Sequence, residues 1–160
     1  MKTLLTLIFF LASAFTLAGD YGFSLVEHVA SYHTTAAMCK VHRCKKFNQD
    51  NLGLGLEINK GIGEGLSQVF ARVGGYKDSY YKTGTYAAVG YRATWGEREG
   101  LHYGVAVHAG YLNGSGENGA VIVPMFEAGY KAANVELMIN PSTNNEKRST
   151  IYGLSFRQDF

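Results

Sequence analysis

Leu52-Gly53-Leu54-Gly55-Leu56-Glu57-Ile58-Asn59 is the stretch that decides the fold. Large aliphatic residues fill every second position, and Gly, Gly, Glu and Asn fill the positions between. A period of two belongs to a β-strand with two unlike faces, whereas a helix would space its apolar residues by three and four. One face of this strand is aliphatic, and the other is small or charged.

The same phase recurs along the chain. Val69, Ala71 and Val73 alternate with Gln68, Phe70, Arg72 and Gly74, and Ala87, Val89, Tyr91, Ala93 and Trp95 alternate with Ala88, Gly90, Arg92 and Thr94. Leu101, Tyr103, Val105, Val107, Ala109 and Tyr111 oppose His102, Gly104, Ala106, His108 and Gly110. Ile122, Phe126, Ala128 and Tyr130 oppose a face carrying Glu127, with Val121, Val123 and Met125 blurring that run. Ala133, Val135, Leu137 and Ile139 form the next, and Tyr152, Leu154, Phe156 and Phe160 the last. With a first run from Leu25 to His33, the count is eight.

Glu57, Arg72, Arg92, Glu127, Glu136 and Arg157 all fall on the face opposite the aliphatic one, with both signs present. A soluble barrel would turn such charges to water, and a membrane barrel would pair them in its lumen. Three features favour the membrane. Tyr91, Trp95, Tyr103, Tyr111, Tyr130 and Tyr152 fall mostly near the ends of the apolar faces, as interfacial girdles do. Short connections alternate with longer ones, the longest running from Thr34 to Asn48 and moderate ones over Asp78–Gly84, Asn113–Gly119 and Pro141–Ser149. The last strand is aromatic and ends in Phe160, similar to the C-terminal insertion signal of bacterial outer-membrane proteins. The expected fold is all-β, an eight-stranded antiparallel transmembrane up-and-down β-barrel. Closing the sheet pairs every backbone group within lipid, and eight strands leave an interior nearly filled by side chains.

Met1-Lys2-Thr3 followed by an apolar run from Leu4 to Ala18 reads as a secretory signal peptide over residues 1–18, leaving one domain over 19–160. A net charge of +2, one unit of it on Lys2 in the leader, does not support nucleic-acid binding. No later stretch is apolar for about 18 residues, which excludes a helical span. Export implies an oxidising compartment, so Cys39 and Cys44 read as a loop disulfide, with a zinc site using His42 or His33 as the alternative.

The candidate chemistry lies in Gly75-Tyr76-Lys77-Asp78-Ser79-Tyr80-Tyr81-Lys82. Asp, Ser and Gly are ordinary turn residues, but here a carboxylate and a hydroxyl stand side by side between two strands. With both termini on the inner side, the first strand ends outward at His33 and the third at Asp78-Ser79. A His able to take a proton from a Ser hydroxyl, with a carboxylate nearby, has the composition for acyl transfer. His28, His42, His102 and His108 also have plain packing roles open to them.

The run from Tyr76 to Lys82, continued without a gap through Ala87-Ala88-Val89-Gly90-Tyr91-Arg92-Ala93-Thr94-Trp95, resembles a strand-loop-strand of the lipid A palmitoyltransferase (PagP) family. Ser31-Tyr32-His33, Phe47-Asn48, Gly53-Leu54-Gly55-Leu56, Val123-Pro124 and Gly129-Tyr130 follow the same family in order. The resemblance implies an outer-membrane acyltransferase that moves a palmitoyl-like chain from a phospholipid to lipid A or a related glycolipid. It implies catalytic His33, Asp78 and Ser79, a lumenal acyl ruler floored at Gly90, and lateral lipid entry at Pro124. Lys77 and Lys82 flank the reactive pair as candidate substrate contacts. No metal and no organic cofactor are implied, the partners being the phospholipid donor and the lipopolysaccharide acceptor in the outer membrane. A monomer is expected. The family's amphipathic helix before the first strand has no counterpart here, and the basic loop around Cys39 and Cys44 is foreign to it.

Two other classes compete. A non-catalytic small outer-membrane barrel for adhesion, host interaction or exclusion would share the fold, since fold alone does not give function. A soluble lipocalin-like barrel would turn the aliphatic face inward. A lipid A deacylase would want His followed two residues later by Ser, and none of the five His is so placed.

Overall fold

The computed structural model describes residues 21–34, 37–40, 43–63, 65–141 and 150–160. The expected leader and its cleavage after Ala18 lie outside them, as does His42. The described residues form ten strands: β1 (Tyr21–His33), β2 (Ala37–Lys40), β3 (Arg43–Lys46), β4 (Gly53–Gly61), β5 (Gln68–Lys77), β6 (Thr83–Gly96), β7 (Leu101–Gly114), β8 (Glu117–Tyr130), β9 (Ala133–Pro141) and β10 (Thr150–Asp159).

Eight of them close a barrel in the order β1-β10-β9-β8-β7-β6-β5-β4, each pairing antiparallel with its neighbours, so the first and last strands meet. The eight alternating runs of the sequence are these eight strands. The remaining two, β2 and β3, form a separate hairpin whose backbone register sets Cys39 opposite Cys44. Periodicity gave no sign of that hairpin, because four residues a side is too short a pattern to read.

The alternation has the phase read from the sequence, with the aliphatic face outward. Leu54 and Leu56 are 61% and 60% exposed, while Glu57 and Arg72 between the strands are 2% and 1% exposed. Trp95, Tyr103, Tyr111 and Tyr130 also face outward. The lumen has its charges knitted together. Arg72 binds Glu57 and lies 3.0 Å from Glu136; Arg92 reaches Glu57 at 3.1 Å and Glu127 at 2.7 Å; Arg157 reaches Glu136 at 3.0 Å and Glu127 at 3.2 Å. The Phe70 ring lies beneath two of these guanidinium groups, 4.8 Å from that of Arg72 and 4.6 Å from that of Arg92. Three arginines against three glutamates make a neutral plug across the barrel, so each buried charge has partners.

Two irregularities matter for the site. A bulge between His28 and Ala30 shifts the register of β1 against β10 and re-aims the side chains above it. The expected moderate loop over Asn113–Gly119 is instead a tight turn: β7 and β8 pair to Gly114↔Glu117, leaving Ser115 and Gly116 at φ 56° and 83°. Positive φ at both central residues gives a turn whose twist matches the hairpin, which is why the ladder continues so far.

Candidate active site

The outer rim gathers three segments far apart in sequence: the end of β1, the segment from Phe47 to Asn51, and the turn joining β5 to β6. His33, the last residue of β1, faces inward and is buried. Its ring stacks on Phe47 at 4.2 Å between centroids and 7° between planes. Its Nε2 lies 2.8 Å from Ser79 Oγ. This pair was the geometric expectation drawn from strand direction, and the structure places both groups together at one rim.

Asp78 holds a different position from the one a catalytic triad requires. Its Oδ1 accepts from the backbone N–H of Tyr80 at 2.9 Å and of Lys82 at 2.6 Å, and its Oδ2 accepts from the backbone N–H of Ser115 at 3.1 Å. The carboxylate therefore fastens the turn around Ser79 and ties it to the neighbouring β7–β8 turn. A side chain bonded to its own backbone two residues on is the usual use of Asp in a turn. Its partners are these amides, so its effect on His33 is through the position of Ser79.

Several contributors went unread in the sequence. Ser115 Oγ lies 3.2 Å from Ser79 Oγ, extending the chain His33–Ser79 by one more hydroxyl. Asn48 donates Nδ2 to the Asp78 carbonyl at 3.1 Å, and its backbone N–H donates to the Ser79 carbonyl at 2.9 Å. Asn51 donates Nδ2 to the Lys77 carbonyl at 2.7 Å and accepts from Ser31 Oγ. The turn carrying Asp78 and Ser79 is thus held on both sides by amide side chains. Gly114-Ser115-Gly116 at an outer turn one hairpin away was the available signal. Burial, with Asp78 and Glu117 adding to it, pushes the Tyr80 phenol up from its ordinary value.

Below the Ser79 and Ser115 hydroxyls the upper lumen opens into a cavity of about 120 Å³. Ala88, Val121, Val123, Met138 and Leu154 line it, and Arg72 of the charged plug bounds it below. Its lining is mostly apolar, with His28, Tyr86, His108 and Asn140 adding polar groups. Gly90 faces the lumen as its phase implied, yet it does not line this cavity. A side chain there would run into the Phe70 ring and the Val107 carbonyl.

Pro124 sits where the wall is incomplete. β8 pairs with β7 along its whole length, but its ladder with β9 runs only from Met125↔Met138 to Tyr130↔Ala133. Above Met125, β8 and the described part of β9 (Ile139–Pro141) share no ladder, which leaves a slot in the hydrogen bonding of the wall next to the cavity-lining Val123 and Met138. Lys77 and Lys82 are exposed at the rim, on either side of Asp78 and Ser79. Among the described residues no group of three or more His, Cys, Asp or Glu is arranged to hold a metal ion.

No family model matches the chain, and no curated protein does. Among solved structures, that of the Yersinia pestis outer membrane protein Ail in a phospholipid bilayer nanodisc is similar, at 8% identity and a TM-score of 0.45. The match covers 87% of this chain and 99% of that one. A likeness this distant assigns no function.

Proposed function

We propose that this chain is an outer-membrane β-barrel that transfers a long acyl chain from a phospholipid to a hydroxyl of lipid A or a related glycolipid. The membrane placement is supported by the inverted wall, since aliphatic side chains cover the outside while the charges pair within. The observation that carries the reaction is the 2.8 Å contact between His33 Nε2 and Ser79 Oγ, standing at the mouth of an apolar cavity beside a slot in the wall.

In this reading the donor's acyl chain enters through the slot beside Pro124 and lies in the cavity, leaving its ester at the rim. His33 accepts a proton through the Ser79 hydroxyl as an oxygen nucleophile attacks the ester carbonyl. The proton returns to the oxygen of the departing lysophospholipid. One ester C–O bond breaks and one forms, and the reaction consumes neither water nor a cofactor. The hydroxyl of Ser115 is within reach of Ser79, and the amide clamps from Asn48 and Asn51 fix the turn.

A second reading has its own observation. Because the Asp78 carboxylate is spent on backbone amides, the same turn suits a non-catalytic small barrel that presents its rim to a partner. Mass spectrometry of lipid A from cells expressing the wild type and Ser79→Ala separates the two. An added acyl chain that vanishes with Ser79→Ala is expected; no addition by the wild type would overturn the enzyme reading and leave the binding one.

A further inference from the structure

Glu27 is out of place. It lies on β1 with its side chain exposed on the outward face, where β1 pairs Glu27 with Leu54 of β4 on one side and Phe156 of β10 on the other. Both neighbours are exposed, as are Leu56 and Val135 beyond them. The outward lysines Lys60 and Lys77, by contrast, fall at strand ends, where a charge reaches water.

Glu27 does not. On its own strand it is six residues past Tyr21 and five short of Tyr32, two exposed tyrosines that mark the two edges of the apolar belt. On β10 its partner Phe156 stands four residues from Tyr152 and four from Phe160. Both counts put the carboxyl near mid-height. It makes no hydrogen bond or ion pair among the described residues. An ionisable group held in hydrocarbon is costly, and such groups mark functional surfaces far more often than passive ones.

We propose that the wall around Glu27, formed by β4, β1 and β10, is a self-association surface, and that Glu27 pairs with Glu27 of a second copy. Two copies inserted the same way are related by a two-fold axis along the membrane normal, and a residue on that axis meets itself. Few side chains can satisfy themselves in that position. A protonated carboxyl is one, because it carries one donor and one acceptor. Two of them close a ring of two O–H···O bonds and leave no charge in the lipid. Leu25, Leu54, Leu56 and Phe156 supply the apolar contact around the pair. This inference rests on the membrane placement of the belt and is independent of acyl transfer; it replaces the monomer expected of the sequence.

The test is association of the full-length protein in phosphatidylcholine vesicles, read by energy transfer between labelled copies as lipid dilutes them. Wild type is expected to associate. Glu27→Gln, whose amide also carries donor and acceptor, is expected to associate within a few-fold of wild type. Glu27→Leu matches the surrounding wall and so keeps the barrel folded, as heat-modifiable migration will verify; its association is expected to weaken at least tenfold. Wild type that stays monomeric at every lipid ratio, or Glu27→Leu that associates as well as wild type, overturns the proposal. Failure of the wild type to float with vesicles overturns the membrane placement and this proposal with it.

Discussion

The Ser79 hydroxyl meets His33 Nε2 at 2.8 Å although 46 residues of sequence separate them, and the Asp78 carboxylate next door points to backbone amides instead. The pair is a dyad with a fastened turn. A base in this role must be neutral imidazole, because the protonated ring has no lone pair to offer. Burial disfavours the charged ring and holds the His33 imidazole below its ordinary value, so acyl transfer is expected to be present at neutral pH and to be lost only in acid, at a pH below that of an ordinary imidazole. Rates measured on reconstituted protein across that range check it, and a flat profile would remove His33 from the chemistry.

Asp78→Ala tests the fastening. Three backbone N–H groups lose a charged acceptor, at a cost of about 2 to 3 kcal/mol in stability. Denaturant unfolding and acyl-transfer rate are expected to fall together. A lost rate with unchanged stability would show that the carboxylate acts on the imidazole after all.

In the proposed reaction the cavity sets the acyl length. Ala88→Leu and Val123→Phe fill it and are expected to shift selectivity to shorter acyl chains, while Met138→Ala shifts it to longer ones. Each misfit methylene is worth roughly tenfold in relative rate. Gly90→Met, by contrast, collides with Phe70 and is expected to lower stability. Acyl-chain competition assays with donors of graded length distinguish these effects.

Closing the slot is expected to stop entry. Continuing the β8–β9 register past Met125↔Met138 sets Pro124 opposite Ile139. A chain carrying Pro124→Cys and Ile139→Cys, with Cys39→Ser and Cys44→Ser, is expected to lose acyl transfer when oxidised and regain it on reduction. Full activity in the cross-linked form would place the entry elsewhere.

Glu136 is fully buried and accepts from Arg72, Arg92 and Arg157. Glu136→Ala leaves three buried cations short of an acceptor, with an expected loss of about 3 to 5 kcal/mol. A lower temperature for heat-modified migration checks it. The selected chain length is expected to stay the same, since Glu136 lies under the cavity floor.

The barrel was legible because a period of two survives in eight separate stretches, and because the six lumenal charges keep one phase from Glu57 to Arg157. Local pattern also put His33 and Ser79 at one rim, since strand direction alone decides which ends share a side. What stayed hidden depends on contacts between turns. Ser115 approaches Ser79 only because a left-handed turn extends β7 and β8, and nothing in the alternation signals how far two strands will pair. Asp78 reads identically whether its carboxylate faces a ring or three amides. The bulge beside Val29 hid the β1 phase for the same reason, as one extra residue interrupts the rhythm without changing composition.

The missing ladder above Met125 has a further result for the surrounding bilayer. Backbone amides and carbonyls along the upper parts of β8 and β9 lack each other as partners, and bare hydrocarbon cannot solvate them, at several kcal/mol for each group left unmet. In the proposed membrane placement, water or lipid headgroups are expected to reach down the seam and to wet the leaflet beside it. Such a notch would offer a lipid's polar head a hydrated track while its tail remains in oil, and amide hydrogens along the seam are expected to exchange early.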